Sequence, residues 1–311
     1  MLEASLSRGK ELGRGMKRIL NFGSLNADYV YTVEHIVRGG ETISSHHMQV
    51  FPGGKGLNQS IAMARAGLAV CHAGLVGEDG GFLLETLQKD NVDTGFVGQL
   101  SGKSGHTIIQ VGQDAQNAIL LFGGTNRAVT PEYADAVLAH FSAGDLLLVQ
   151  NEISALPHII KRAHEIGMEI WLNPSPMDSG VFACDLSLVS VFLLNEVEGE
   201  QMTGTTEPEE ILRRMAAQYP NAAVVLTLGG AGAWYARGEQ RVFCSAQKVR
   251  AVDTTAAGDT FTGYFVRGML DGLSPEEALG LAAKAAAIAV SRPGASPSIP
   301  KFEELNIEQE S

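Results

Sequence analysis

The chain has 311 residues, 45% of them apolar, and a formal net charge of −12 at pH 7. That much apolar material suffices for one large α/β domain or two small ones. The acidic balance argues against nucleic acid or an anionic membrane as principal partner, though not against a nucleotide substrate, whose phosphate site is local.

Residues 1–15 are polar and aperiodic, and lack the apolar stretch of a secretory signal. They read as a flexible extension, with the folded part beginning near Met16. Residues 18–22 read as a strand that stops at Gly23. Residues 28–51 look like strands without helices, first 29–33 and then 42–51. Residues 57–68 place Leu57, Ile61, Ala64 and Leu68 at helical spacing. Residues 70–75 read as a strand and 81–89 as a helix. Residues 104–122 carry the apolar runs 107–111 and 118–122, which read as a hairpin. Buried strands are predicted at 145–150, 169–173, 191–195 and 222–228, with helices near 154–166 and 207–218. The C-terminal part is helical over 260–271 and over the alanine-rich 275–291.

This alternation predicts an α/β fold with a mostly parallel sheet covered on both faces. Ligands in such sheets lie beyond the carboxyl ends of the strands. The strands of 28–51 and 104–122 have no covering helix. They predict a small separate sheet, a lid that excludes water on closure; a plain edge hairpin is the other reading. No apolar run approaches the roughly 20 residues that span a bilayer. Cys71, Cys184 and Cys244 are far apart and odd in number, which fits a reducing cytoplasm and no disulfide or metal framework.

Several motifs carry chemistry. Asp253-Thr254-Thr255-Ala256-Ala257-Gly258-Asp259 runs through a small-residue turn into a helix, where free backbone N–H groups suit a phosphate. Asp259 would repel that anion unless it has a task, and the task that fits is to take a proton from a hydroxyl attacking phosphorus. Asn26-Ala27-Asp28 can hydrogen-bond a vicinal diol, or form an Asx-turn after the first strand. Gly53-Gly54-Lys55-Gly56-Leu57-Asn58 opens a helix. Its glycines allow close approach of a ligand, Lys55 adds a cation, and Asn58 reaches the same place one turn on. It is not the GxxxxGK(S/T) phosphate loop, and a glycine turn that merely caps the helix is the alternative.

Gln150-Asn151-Glu152 ends a strand, which puts Glu152 at the ligand edge or on an exposed loop. Asn195 and Glu198 share a helical face and offer hard oxygen ligands to Mg²⁺ or its waters; capping of the helix by Asn195 is compatible with that. Thr227-Leu228-Gly229-Gly230-Ala231-Gly232 could wrap phosphates or ribose. It fails as a dinucleotide fingerprint, since the third glycine is missing and Trp234-Tyr235 continue as a strand. The segment 291–298 is a loop whose carbonyls, with Asp253 and Thr255, could surround a monovalent cation.

The order and spacing of N-x-D, GGKGxN, a strand-end Glu, NxxE, TLGxxG and DTTAAGD resemble the ribokinase-like (PfkB) carbohydrate kinase family, from Met16 to about Pro300. GGKG-Leu-Asn-Gln is more similar to the ribokinases of that family than to its fructokinases or adenosine kinases. The resemblance implies a three-layer α/β fold with a β-sheet lid over residues 16–305. It implies ATP-dependent phosphorylation of a sugar, D-ribose first, with another sugar or a nucleoside as alternative, and a non-catalytic sugar-binding protein as a remoter one.

By the same resemblance, Asn26, Asp28, Gly54, Lys55, Asn58 and Glu152 hold the sugar and Asp259 is the base. The amides of Ala256, Ala257 and Gly258 form an anion hole. Asn195, residues Thr227, Leu228, Gly229, Gly230, Ala231 and Gly232, and Gly258 hold ATP, and Glu198 acts on Mg²⁺ indirectly. A K⁺ site maps to Asp253, Thr255, Ala289, Arg292, Gly294 and Ser298, several through backbone oxygens. A homodimer through the lid is implied too. Departures from the family pattern are Ala282-Ala283-Lys284, where ribokinases often place a polar side chain near the adenine, Ser175-Pro176-Met177, and the turn Gly123-Gly124-Thr125-Asn126.

Overall fold

The first strand, β1 (Ile19–Phe22), is buried at all four residues and sits inside the larger of two sheets. The structure is a computed structural model that describes residues 17–113 and 116–306; the extension expected over 1–15 lies outside them. After β1 come β2 (Asn26–Thr32), β3 (His47–Gly53), α1 (Lys55–Arg65), β4 (Val70–Val76), α2 (Gly81–Lys89), β5 (Asp93–Gln99), β6 (Gly105–Val111) and β7 (Asn117–Phe122). There follow α3 (Pro131–Leu138), β8 (Leu146–Gln150), α4 (Leu156–Ile166), β9 (Glu169–Asn173), α5 (Ser179–Phe182), β10 (Val191–Asn195), α6 (Glu196–Thr203) and α7 (Pro208–Gln218). The chain ends with β11 (Ala223–Thr227), β12 (Gly232–Arg237), β13 (Gln240–Ser245), α8 (Ala257–Leu270) and α9 (Pro275–Val290).

The large sheet has the order β13-β12-β11-β10-β9-β8-β1-β4-β5. It is parallel from β11 to β5, and β12 and β13 add an antiparallel edge. Alternate side chains feed two cores. Leu20, Phe22, Leu147, Val149, Phe192 and Leu194 pack with α3, α4 and α7. Ile19, Leu146, Leu148, Val191 and Leu193 pack with α1, α8 and α9. Burial on both faces is why these strands read as unbroken apolar runs. β1 pairs with β4 on one side and β8 on the other. The chain winds outward from β1 to β5, then returns to build the opposite half from β8. The crevice beyond the carboxyl ends of β1 and β8 is therefore the switch point at which such sheets bind ligands.

The second sheet, β3-β2-β6-β7, is the expected lid. Asn26-Ala27-Asp28 opens β2, paired with β3 and β6 on its two edges, so the Asx-turn reading is overturned. The strand expected at 42–51 is β3, five residues later at its start. β2 pairs from Asn26↔Gly53 to Thr32↔His47 and then ends, leaving 42–46 no partner strand. The strand β5 and the helix α3 were absent from the sequence reading. Among the described residues, no helix is long and apolar enough to cross a membrane.

Candidate active site

The base of the site is the start of α8. Ala256 stands there with φ 61°, in the left-handed region, and no side chain caps the helix. That conformation costs an alanine about 1 kcal/mol. It aims the first-turn amides outward. The Ala257 N–H is used by the Thr254 carbonyl at 3.2 Å, so one of the three amides expected in the anion hole is engaged. The N–H groups of Gly258 and Asp259 have no acceptor among the described residues.

The Asp259 carboxylate is buried, 7% exposed. It accepts hydrogen bonds from Asn58 Nδ2 at 3.1 Å and Gln59 Nε2 at 2.9 Å. Both donors belong to α1, which lies close against α8. A Cβ on Gly263 would fall 2.5 Å from that of Ala62. Asn58, expected at the sugar by resemblance, thus donates its amide to Asp259, while its Oδ1 is buried without a partner among the described residues. Gln59 was read in the sequence as the last residue of GGKG-Leu-Asn-Gln, with no role assigned to it.

α1 begins behind Gly54, whose φ of 91° favours glycine. In place of a local cap, Glu152 accepts the Lys55 N–H at 2.9 Å and the Ser24 hydroxyl. A carboxylate there also complements the positive end of the helix. Burial pulls the Lys55 ammonium down, but the carboxylates of Asp259, Glu152 and Glu198 outweigh it and hold its pKa above the ordinary lysine value. Lys55 therefore stays charged. On the lid, Asp28 Oδ1 accepts the Thr107 hydroxyl at 2.6 Å. Burial pushes Asp28 up from 3.8 to about 6; the Thr107 bond opposes the rise, and the Glu152 and Asp259 carboxylates add to it. A side chain at Gly53 would overlap the Asp28 carboxylate.

Asn26 Oδ1 accepts Asn126 Nδ2 at 2.7 Å, and Asn126 Oδ1 accepts the Leu25 N–H at 3.1 Å. The Gly123-Gly124-Thr125-Asn126 turn is thus a clamp at the root of the lid, a role the sequence did not disclose.

A cavity of about 220 Å³ joins Lys55 and Asp259 to Asn195, Glu198 and Thr227. Asn195 and Glu198 form a capping box at the start of α6. Asn195 N–H and Nδ2 donate to the two Glu198 oxygens at 2.7 and 2.9 Å, and Asn195 Oδ1 accepts the Glu198 N–H. Gly229, Gly230 and Ala231 make an exposed turn beyond the cavity, next to Leu228, and Gly232 leads into the strand β12 rather than a helix. This agrees with rejection of the dinucleotide fingerprint.

Asp253 accepts the N–H groups of Thr255 and Gly294 at 2.8 and 2.9 Å, which ties the 253–255 turn to the 291–298 loop. Burial raises its pKa, but the Thr255 hydroxyl together with these two N–H groups outweighs that and leaves it below the ordinary range. The Arg292 side chain pairs with Glu304 and Ser298 Oγ donates to the Ala295 carbonyl, while the Ala289 carbonyl accepts the Arg292 N–H. Arg292 therefore has only its backbone to offer a cation here. Among the described residues, no three His, Cys, Asp or Glu side chains are grouped to hold a metal. Ala282 is buried in the core, consistent with the departure seen in the sequence.

Comparison with known proteins matches residues 16–301 to the description "pfkB family carbohydrate kinase". A ribokinase of Haemophilus influenzae is 34% identical over 302 residues, covering 93% of this chain and 97% of its own. A deoxyribokinase of Salmonella typhi is 29% identical, covering 91% and 96%. The solved structure of Arabidopsis thaliana ribokinase complexed with ribose and ATP aligns with a TM-score of 0.81 at 29% identity, covering 93% of this chain and 98% of that one. The chain belongs to the pfkB family of carbohydrate kinases.

Proposed function

We propose that the protein transfers the γ-phosphoryl group of ATP to the primary hydroxyl of D-ribose, giving ribose 5-phosphate and ADP, with Asp259 as general base. The observation that carries this is a buried carboxylate held as an acceptor by two amides, beside the unpaired N–H groups of Gly258 and Asp259. The Arabidopsis relative, complexed with ribose and ATP, supports the choice of substrates. Asn26, Asp28, Gly54, Lys55 and Asn58 form the sugar subsite. The buried, unpartnered Oδ1 of Asn58 and the Asp28 carboxylate are acceptors for its hydroxyls. Glu152 acts by fixing the start of α1 and by keeping Lys55 charged. As the hydroxyl oxygen bonds to phosphorus, its proton passes to Asp259 and the bridging oxygen leaves with ADP. The free amides, with Lys55, stabilise the charge on the transferred group.

ATP lies along Asn195 and the Thr227 to Gly232 segment, with its γ-phosphate at Gly258. Asp28, Glu152, Glu198 and Asp259 already outnumber Lys55, so the phosphates need a further cation. Both Glu198 oxygens are engaged by Asn195, which fits Mg²⁺ carried on the phosphates and reached through water. When bound, Mg²⁺ supplies charge neutralisation. K⁺ fits the segments of Asp253, Thr255, Ala289, Arg292, Gly294 and Ser298, which the bonds from Thr255 and Gly294 to Asp253 bring together. Register puts Met48, Val50, Ile108, Leu120 and Phe122 on the lid face opposite Asp28, and all five are exposed. A second copy covering that face makes the protein a homodimer. The three cysteines are unpaired, which fits work in a reducing cytoplasm.

The test is Asp259→Asn. Turnover should fall about 10²-fold or more, as for a lost general base, with ATP affinity little changed; near-wild-type turnover would sink the assignment. The ratio of kcat/KM across D-ribose, 2-deoxyribose, fructose and a nucleoside settles the acceptor.

A further inference from the structure

A chain of buried polar side chains runs behind Asp259. Gln59 donates Nε2 to Asp259 Oδ1 at 2.9 Å and accepts Gln150 Nε2 on its own oxygen at 2.6 Å. The same Gln150 Nε2 reaches Asn21 Oδ1 at 2.9 Å. Asn21 Nδ2 donates to the Gly56 carbonyl and to Ser60 Oγ, both at 2.7 Å. Ser60 Oγ meets His72 Nδ1 at 2.8 Å. Asn21, Gln59, Ser60, His72 and Gln150 are all 0% exposed, so water offers none of them an alternative partner.

The direction of every amide in this chain is dictated. The Gly56 carbonyl can only accept, so Asn21 must turn its NH₂ group there and present its oxygen to Gln150. Gln150 then faces two amide oxygens and must give both its N–H groups. The Gln59 oxygen is thereby occupied, and its NH₂ group is forced onto Asp259. A flip anywhere along the line would bring oxygen against oxygen without water to relieve it. Burial takes His72 down to about 3, so the far end carries no charge. The charged groups facing Asp259 are Lys55 from α1 and Asp28 from β2, with Glu152 and Glu198 coupled to it through Lys55. A set of apolar side chains of the same shape would hold α1 on β1 and β8 about as well. The polar chain is therefore explained by where it ends.

We propose that Gln59, locked in one orientation by Gln150 and Asn21, is a positioning residue for the general base, holding Asp259 as a fixed, ionised acceptor. This rests on the reading of Asp259 as that base. The experiment compares kcat against pH, with KM for both substrates, in Gln59→Leu, Gln150→Leu and the double variant. Loss of a hydrogen bond to a charged group should lower kcat in Gln59→Leu roughly 10- to 100-fold. The acidic limb of kcat should move up, because the ionised form loses a donor. KM for ATP should be unchanged. Gln150→Leu should move both quantities the same way by less. The double variant should be no slower than Gln59→Leu alone, since Gln150 acts through Gln59.

If Gln59→Leu fails to fold, Gln59→Glu keeps the shape and sets a carboxyl against Asp259. Its acidic limb should rise further, since like charges disfavour the ionised pair. An unmoved limb with kcat near wild type in a folded Gln59 variant overturns the inference, as do penalties that multiply in the double variant. Asp259→Asn measured alongside separates the two claims. If it is inactive while the Gln59 variants are normal, only the positioning role fails; if it is active, the base itself has been misassigned.

Discussion

Asp28→Asn should stabilise the free enzyme while damaging it as a kinase. Asp28 lies on the lid with one hydrogen-bond donor among the described residues, Thr107, and with the Glu152 and Asp259 carboxylates nearby. Burial first, and those carboxylates second, push its pKa from 3.8 to about 6. The native protein therefore takes up a proton near pH 6 that the unfolded chain takes up only near 3.8. Between those values the folded state binds more protons, so stability falls as pH rises through the window and stays lower above it. At about 1.36 kcal/mol per unit, the gap corresponds to about 3 kcal/mol lost at neutral pH. Asparagine keeps an oxygen for the Thr107 hydroxyl and removes the charge. In a chain of this size the gain is worth up to about 5 °C in Tm at about pH 7.5, and it should vanish near pH 4. Meanwhile kcat/KM for ribose should fall about 10- to 100-fold through lost charge-assisted bonds, with KM for ATP unchanged. Thermal melts at the two pH values and a coupled ADP-release assay measure both. A Tm difference that is the same at both pH values, or a variant less stable at each, refutes the reasoning.

Other perturbations test neighbouring parts. Gly53→Ala puts a methyl where the Asp28 carboxylate lies, and should raise KM for the sugar about 10-fold or more while sparing KM for ATP; equal changes in both would point to general damage. Turnover should be faster in K⁺ than in Na⁺ at equal ionic strength, and identical rates would remove the cation site at Asp253 and Gly294. Leu120→Asp, on the outward lid face, should yield monomers in sedimentation if that face joins two copies, whereas an unchanged mass argues against it. Asp28→Asn should raise sugar-independent ATP hydrolysis relative to phosphorylation of ribose, and an unaltered ratio would count against coupling of the lid to the sugar.

Legibility in the sequence followed burial. β8, β9, β10 and β11 are buried on both faces, so each appears as a short apolar run. β5 reads Asp93-Thr94-Gly95-Phe96-Val97-Gly98-Gln99 and exists through pairing with β4, a non-local cause that its two glycines hide. α3 did carry a local signal: Thr130 caps it by accepting the Tyr133 N–H, ahead of Pro131 in the first turn. In the site, the charged residues were legible because they follow apolar strands, as Glu152 and Glu198 do, or stand beside glycines, as Lys55 and Asp259 do. Gln59, Gln150 and Asn126 were not. An uncharged amide has no meaning until its partner is known, and Gln59 finds Asp259 200 residues away. Glu152 was legible as a ligand-edge acid, but its bond to the Lys55 N–H depends on how α1 docks.

The features that weaken the free enzyme are those a bound sugar would repair. Asp28 is short of donors and the Asn58 oxygen has none among the described residues. Closing the lid on water alone would bury Asp28 further and raise the cost of its charge. Closing it on a sugar instead supplies hydroxyl donors to Asp28 and to Asn58 at the moment water is expelled. The free energy withheld from folding thus becomes binding that depends on the acceptor being present. Water can occupy the place of the attacking hydroxyl, but it cannot satisfy Asp28 and Asn58 together and still be excluded. On this account the discrimination between ribose and water as phosphoryl acceptor lies in the ionisation of a lid carboxylate more than in the proposed base, because Asp259 in that role would accept a proton from either.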